Sequence, residues 1–210
     1  MGRRIKLDRD PYDNGFNLYK KRTVEFQTGV TVLVGCNGIG KTSLLDNIKR
    51  VLRKENVPCI TFDNLQDGGA NARSEMAFYG NFEFVGASMC SSEGESIVMN
   101  LGRMASKIGN FIRNNPNEKE LWILFDAIDS GLSIDNIVDV KELLFKTILE
   151  DTNNINKDIY IVVSANSYEM ANSENCLDIY GMKYKTFKTY NNYRKFILKS
   201  KELKEKRETI

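Results

Sequence analysis

Val30-Thr31-Val32-Leu33-Val34-Gly35-Cys36-Asn37-Gly38-Ile39-Gly40-Lys41-Thr42-Ser43 changes character twice. Its first five residues are β-branched or apolar with no charge, the pattern of a strand buried on both faces. Three glycines follow within six residues. A helical pattern then begins, with Leu44, Leu45, Ile48, Val51 and Leu52 at helical spacing. Gly35 to Thr42 fits G-x-x-x-x-G-K-[ST], the phosphate-binding loop. The spacing follows from the chemistry. Gly35, Gly38 and Gly40 let the backbone curl so that consecutive N–H groups face phosphate oxygens. The helix that opens at the loop adds its positive N-terminal dipole. Cys36, Asn37, Ile39 and Ser43 complete the cradle, Lys41 reaches the β- and γ-phosphates, and the Thr42 hydroxyl ligates Mg²⁺. The expected ligands are therefore ATP and Mg²⁺.

The rest of the chain supplies a domain for this loop. With 210 residues and 41% hydrophobic content it can build one generous core. We expect a single domain over 1–210, ending in a helical tail at about 190–210. No apolar run approaches the roughly 20 residues of a membrane span. The first residues are basic without an apolar stretch after them, so no secretory signal is expected. Cys36, Cys59, Cys90 and Cys176 form no C-x-x-C pair. They read as reduced thiols, and the expected location is the cytoplasm, with no membrane partner. The chain has no histidine, which excludes His-activated nucleophiles and His-ligated metals, and a net charge of +2 gives no strong global pull on nucleic acid. The abundance of Asn, Lys and Ile suggests an AT-rich genome, bacterial or phage.

Strand and helix patterns alternate along the chain. Ile5 and Leu7 mark a short strand, and residues 16–27 alternate through Phe16, Leu18, Val24 and Phe26, predicting an antiparallel hairpin before the loop strand. Strands are expected at Val57–Phe62, Leu121–Asp126 and Ile159–Ser164, with a strand pair at 176–180 and 183–187. Helices are expected over 42–55, 72–87, 92–114, 134–150 and 190–207. Strands this apolar belong in a mostly parallel sheet covered on both sides. The predicted class is α/β, with an antiparallel β portion at the N-terminal end. The loop should lie at the carboxyl end of its strand, where such sheets bind ligands.

Three further stretches narrow the class. Leu121-Trp122-Ile123-Leu124-Phe125 is an apolar strand ending in Asp126, placed to hold Mg²⁺ opposite Thr42. Ser91-Ser92-Glu93-Gly94-Glu95-Ser96 opens a long helix, with Ser92 and Glu95 spaced as a capping box. Asp129-Ser130-Gly131-Leu132 follows the Asp126 strand. Together with the phosphate loop, these stretches resemble the Walker B strand, signature motif and D-loop of the ABC-type ATPases, nearest the soluble SMC/RecF-like branch of ATP-binding proteins. The resemblance spans roughly residues 26–167.

The resemblance implies a P-loop NTPase fold and a head-to-tail homodimer closed around two Mg·ATP. In it the Ser92 helix, with Gly94 and Glu95, meets the γ-phosphate held by the other subunit. It also implies a role in DNA metabolism or defence. Gln66 would be the glutamine that touches Mg²⁺ and the attacking water. Asn166 stands where the family has a γ-phosphate-sensing histidine; it can donate a hydrogen bond but cannot change charge. Ala127 stands where the family has the glutamate that activates water. Either Asp129 substitutes as base, or hydrolysis is slow and the protein works as an ATP-gated switch. The alternative function is a P-loop nucleotide or small-molecule kinase, its acceptor bound in the 63–90 region. A partner protein and nucleic acid are further expected contacts: basic and aromatic residues interleave from Lys183 to Phe196, as in single-strand binders. Glu202, Glu205 and Glu208 alternate with the last lysines, as on a solvated helix.

Overall fold

The computed structural model describes residues 2–8, 19–63, 93–130, 132–151, 154 and 156–208, with backbone only for 93–101 and 207–208. The expected helix at 72–87, Phe16, Leu18, Gln66, Cys90, Ser92 and Gly131 lie outside the described residues.

Six strands make the central sheet. They are β3 (Gly29–Val34), β4 (Cys59–Asp63), β5 (Glu120–Asp126), β6 (Asp158–Ser164), β7 (Asn175–Asp178) and β8 (Lys183–Lys185), in the order β4-β5-β6-β3-β7-β8. All neighbours are parallel except the β7–β8 hairpin at the edge. Two further strands, β1 (Arg3–Lys6) and β2 (Thr23–Phe26), form a separate antiparallel pair. The protein is thus α/β, a mostly parallel six-stranded sheet flanked by helices, with a two-stranded antiparallel sheet beside it. Val24 and Phe26 take the expected place; their partner strand is the one carrying Ile5.

Strand alternation divides the core into two layers. Leu33, Trp122, Leu124, Tyr160 and Val162 face one side, where α1 (Lys41–Lys54) packs Leu44, Leu45, Ile48 and Leu52 onto them. Phe26 of β2 closes that layer edge-on against Trp122, which stacks on Tyr160 at 4.4 Å. Val32, Val34, Ile123, Phe125, Ile161 and Val163 face the other side. There they meet Ile108 of α2 (Glu93–Asn114), Met170 of α5 (Tyr168–Ala171) and Tyr193 of α6 (Tyr190–Glu208).

The helix expected over 134–150 is present but not regular. It runs as α3 (Ile134–Asp139), a π-helical segment (Val140–Phe145) and α4 (Lys146–Glu150). The wider turn keeps Val140, Leu144, Phe145 and Ile148 all on the core. A uniform 3.6-residue period does not anticipate such a segment.

Candidate functional site

The glycine-rich loop leaves the carboxyl end of β3, in the middle of the sheet. Gly38 and Gly40 have φ of 73° and 110°, conformations that disfavour side chains. Gly40 is the residue before the first turn of α1. That turn has no side-chain cap and no acidic residue. Its N–H groups therefore meet no capping side chain and no acidic residue within that turn. Ile39 anchors the loop by burying its side chain completely against the α1 layer. The Tyr19 hydroxyl donates to the Gly40 carbonyl at 2.9 Å.

Lys41 is buried, and its ammonium donates to the Gly35 carbonyl at 2.9 Å and the Cys36 carbonyl at 3.3 Å. The chain folds the lysine back across its own loop. Burial pushes its pKa below the ordinary lysine value; Cys36, Asp129 and Asp126 offset this in part. The two aspartates therefore act electrostatically on the same ammonium, although β6 separates the strand of Asp126 from that of the loop. Thr42 and Ser43 lie exposed in the first turn of α1.

Asp126 ends β5. Its Oδ1 accepts a hydrogen bond from the Ser164 hydroxyl at the end of β6. The same Ser164 oxygen accepts the Ala127 N–H at 3.0 Å. Ala127 has φ of 52°, left-handed for a residue with a side chain. Asp129 is buried, and its Oδ2 accepts the N–H groups of Asn166 and Ser167 at 2.7 and 2.6 Å. Its Oδ1 is buried with no hydrogen-bond partner among the described residues. Asp129 thus staples the loop after β6 to the turn after β5. The sequence reading gave it only a chemical role, as substitute base. Asn166 itself is exposed.

Thr42 and Asp126 offer a hydroxyl and a carboxylate, hard oxygen donors that fit Mg²⁺. Among the described residues no three His, Cys, Asp or Glu side chains gather as a metal cage. An ion here would keep most of its shell as water and phosphate oxygens, which is the habit of Mg²⁺. Gly94 and Glu95 lie in the first turn of α2, described by backbone alone.

The last helix contributes contacts that local sequence patterns did not suggest. The Tyr193 hydroxyl donates to the Asn166 carbonyl at 2.9 Å. Ile197 packs against both core layers. The buried Ser200 accepts the Cys36 N–H at 3.1 Å, and the Lys204 ammonium reaches the Asn37 carbonyl at 3.4 Å. A Cβ built on Gly38 would lie 2.7 Å from that ammonium. Positions 193, 197, 200 and 204 form one helical stripe. Phe196 also packs on the core beside Phe187, and much of the remaining surface of the helix is exposed, but this stripe lies on the loop and on the residues after β6. The spacing of Tyr193, Ile197 and Ser200 was the available signal.

The class that fold and site define is an α/β protein with a glycine-rich loop and buried lysine at the end of a central parallel strand. No protein-family model and no curated protein matches this chain. Among the described residues no helix is long and apolar enough to cross a membrane.

Proposed function

We propose that this is an ABC-type P-loop ATP-binding protein that closes head to tail around Mg·ATP and hydrolyses it slowly. The observation that carries the reading is the loop itself. Left-handed glycines, an uncapped helix start without acids, and a buried lysine resting on two loop carbonyls converge where Asp126 and Asp129 bear on that lysine. Lys41 rests on carbonyls that phosphate oxygens would replace as stronger partners. Slow turnover follows from Ala127, which has no acid–base chemistry, and from Asp129, which has one oxygen committed to two backbone N–H groups. The closed dimer rests on the family resemblance, with Ser92 as the trans contact to the γ-phosphate. A place in bacterial or phage DNA metabolism or defence rests on it too.

Calorimetry tests the site. Lys41→Ala removes a charge-assisted contact of about 1.5–3 kcal/mol, so ATP affinity should fall about 10–10²-fold. Unchanged affinity would place the nucleotide elsewhere. Light scattering tests the assembly: particles should be larger with Mg·ATP than with ADP, and Ser92→Arg should remove that difference while ATP still binds. A protein that remains monomeric with Mg·ATP and phosphorylates an acceptor would be a kinase.

A further inference from the structure

We propose that the cleft between the β7–β8 hairpin and α6 is a second ligand site, taking a nucleoside phosphate. The cleft adjoins the glycine-rich loop through Ser200, which lines it and accepts the Cys36 N–H, but its lysines and rings belong to other elements. The cleft has a volume of about 400 Å³, within the range of small-molecule pockets. Lys20, Lys183, Lys185 and Lys199 line it, against a single carboxylate, Asp178.

That carboxylate is already engaged. Asp178 Oδ1 accepts the N–H groups of Tyr180 and Gly181, each at 3.1 Å, and Oδ2 lies 3.7 Å from the Lys185 ammonium. Lys20, Lys183 and Lys199 have no carboxylate partner among the described residues. Three uncompensated ammonium groups around one concavity concentrate anions of more than one charge.

The apolar part of the lining selects among such anions. Tyr180, Phe196 and Leu203 form a surface that a bare phosphate ion would leave uncovered. Ammonium groups already lie against both rings: Lys20 is 4.9 Å from the Tyr180 centroid, and Lys185 is 5.4 Å from that of Phe196. Flat rings beside lysines are the arrangement that stacks a base and holds its phosphate. The nucleoside phosphate can be a free nucleotide or one residue of a single strand.

The test uses the full chain carrying Lys41→Ala, which weakens the glycine-rich loop. Fluorescence titrations with AMP, with a ten-residue oligothymidylate and with inorganic triphosphate separate the sources. Saturable binding of AMP or of the oligonucleotide, tighter than that of triphosphate, is expected. AMP binding as tightly as the oligonucleotide would assign a free nucleotide, and tighter binding of the oligonucleotide would assign a strand. Lys183→Glu with Lys199→Glu, both exposed positions, should lower that affinity at least tenfold while circular dichroism stays unchanged. The proposal is overturned if triphosphate binds as tightly as the nucleotides, or if the double variant binds normally. It is also overturned if the protein without these substitutions binds one nucleotide in all and both sets of substitutions abolish that one event, since the cleft would then be the base end of the loop's own site.

Discussion

The end of β3 and the end of β5 bear on the same buried ammonium, and they are equipped for different tasks. At β3, left-handed glycines, a helix start without acids and a buried lysine on two loop carbonyls are the features on which the proposed anion site rests. At β5, the polar groups are turned inward on the protein. Ser164 occupies one oxygen of Asp126, Asp129 holds the chain after β6, and Ala127 offers only a methyl group. On the proposed function, such a site would hold the means of binding without the means of turnover, because the two are built on different strands. The proposed slow switch is the functional form of that difference.

The largest effect is expected from closing this gap. A positioned carboxylate base contributes about 10²–10⁴-fold to a rate. Ala127→Glu should raise steady-state phosphate release by about 10²-fold or more over a slow wild type, whereas Asp129→Asn should change it little. Brisk wild-type release that Asp129→Asn nearly eliminates would make Asp129 the base and dissolve the contrast between the two strand ends.

A smaller effect separates the structural role of Asp129 from a chemical one. Asp129→Ala leaves the N–H groups of Asn166 and Ser167 without their acceptor. We expect a loss of about 2 kcal/mol in total, a fall in Tm of about 4–8 °C for a chain of this size. Asp129→Asn keeps an acceptor oxygen and should lose less. A melting curve unmoved by Asp129→Ala would show that the staple contributes nothing.

The smallest effect is a fraction of a proton at Lys41. Burial lowers its pKa in the unliganded protein, and a bound phosphate should raise it again. Nucleotide binding should therefore take up protons between the lowered value and 10.5, and none at lower pH, where the lysine is already charged. In the same alkaline window the unfolded chain binds the proton more tightly, so the unliganded protein gains stability as pH rises through it. Calorimetry in buffers of different ionisation enthalpy measures the uptake, and Lys41→Met should abolish it. Uptake that persists in that variant would belong to another group.

Much of this architecture was legible in local patterns. The run from Val30 to Ser43 became β3, a left-handed loop and α1 because its period changes where its glycines fall. Leu121–Asp126 and Ile159–Ser164 are too apolar to be anything but central strands, and both ended at the loop's side of the sheet. The role of Asp129 was not legible, because its acceptors' partners are 37 and 38 residues away and no local period encodes them. The left-handed Ala127 goes with a contact to Ser164 across the sheet, 37 residues away, which alanine's own preference does not encode. The π-helical turn at Val140–Phe145 arises from packing both flanks on one core, which overrides the ordinary helical period.

The Cys36–Ser200 bond also sets an order in time. Its partners are 164 residues apart in sequence. At roughly 5–20 residues per second of synthesis, about 8–33 s pass between the appearance of the loop and that of the helix that braces it. During that interval β3 and α1 can form, but the Cys36 N–H and the Asn37 carbonyl lack the partners that α6 brings. A loop left in this state on the ribosome is a different object from the one in the finished fold. On the proposed function, the nascent chain would complete its nucleotide loop late, when Ser200 and Lys204 dock.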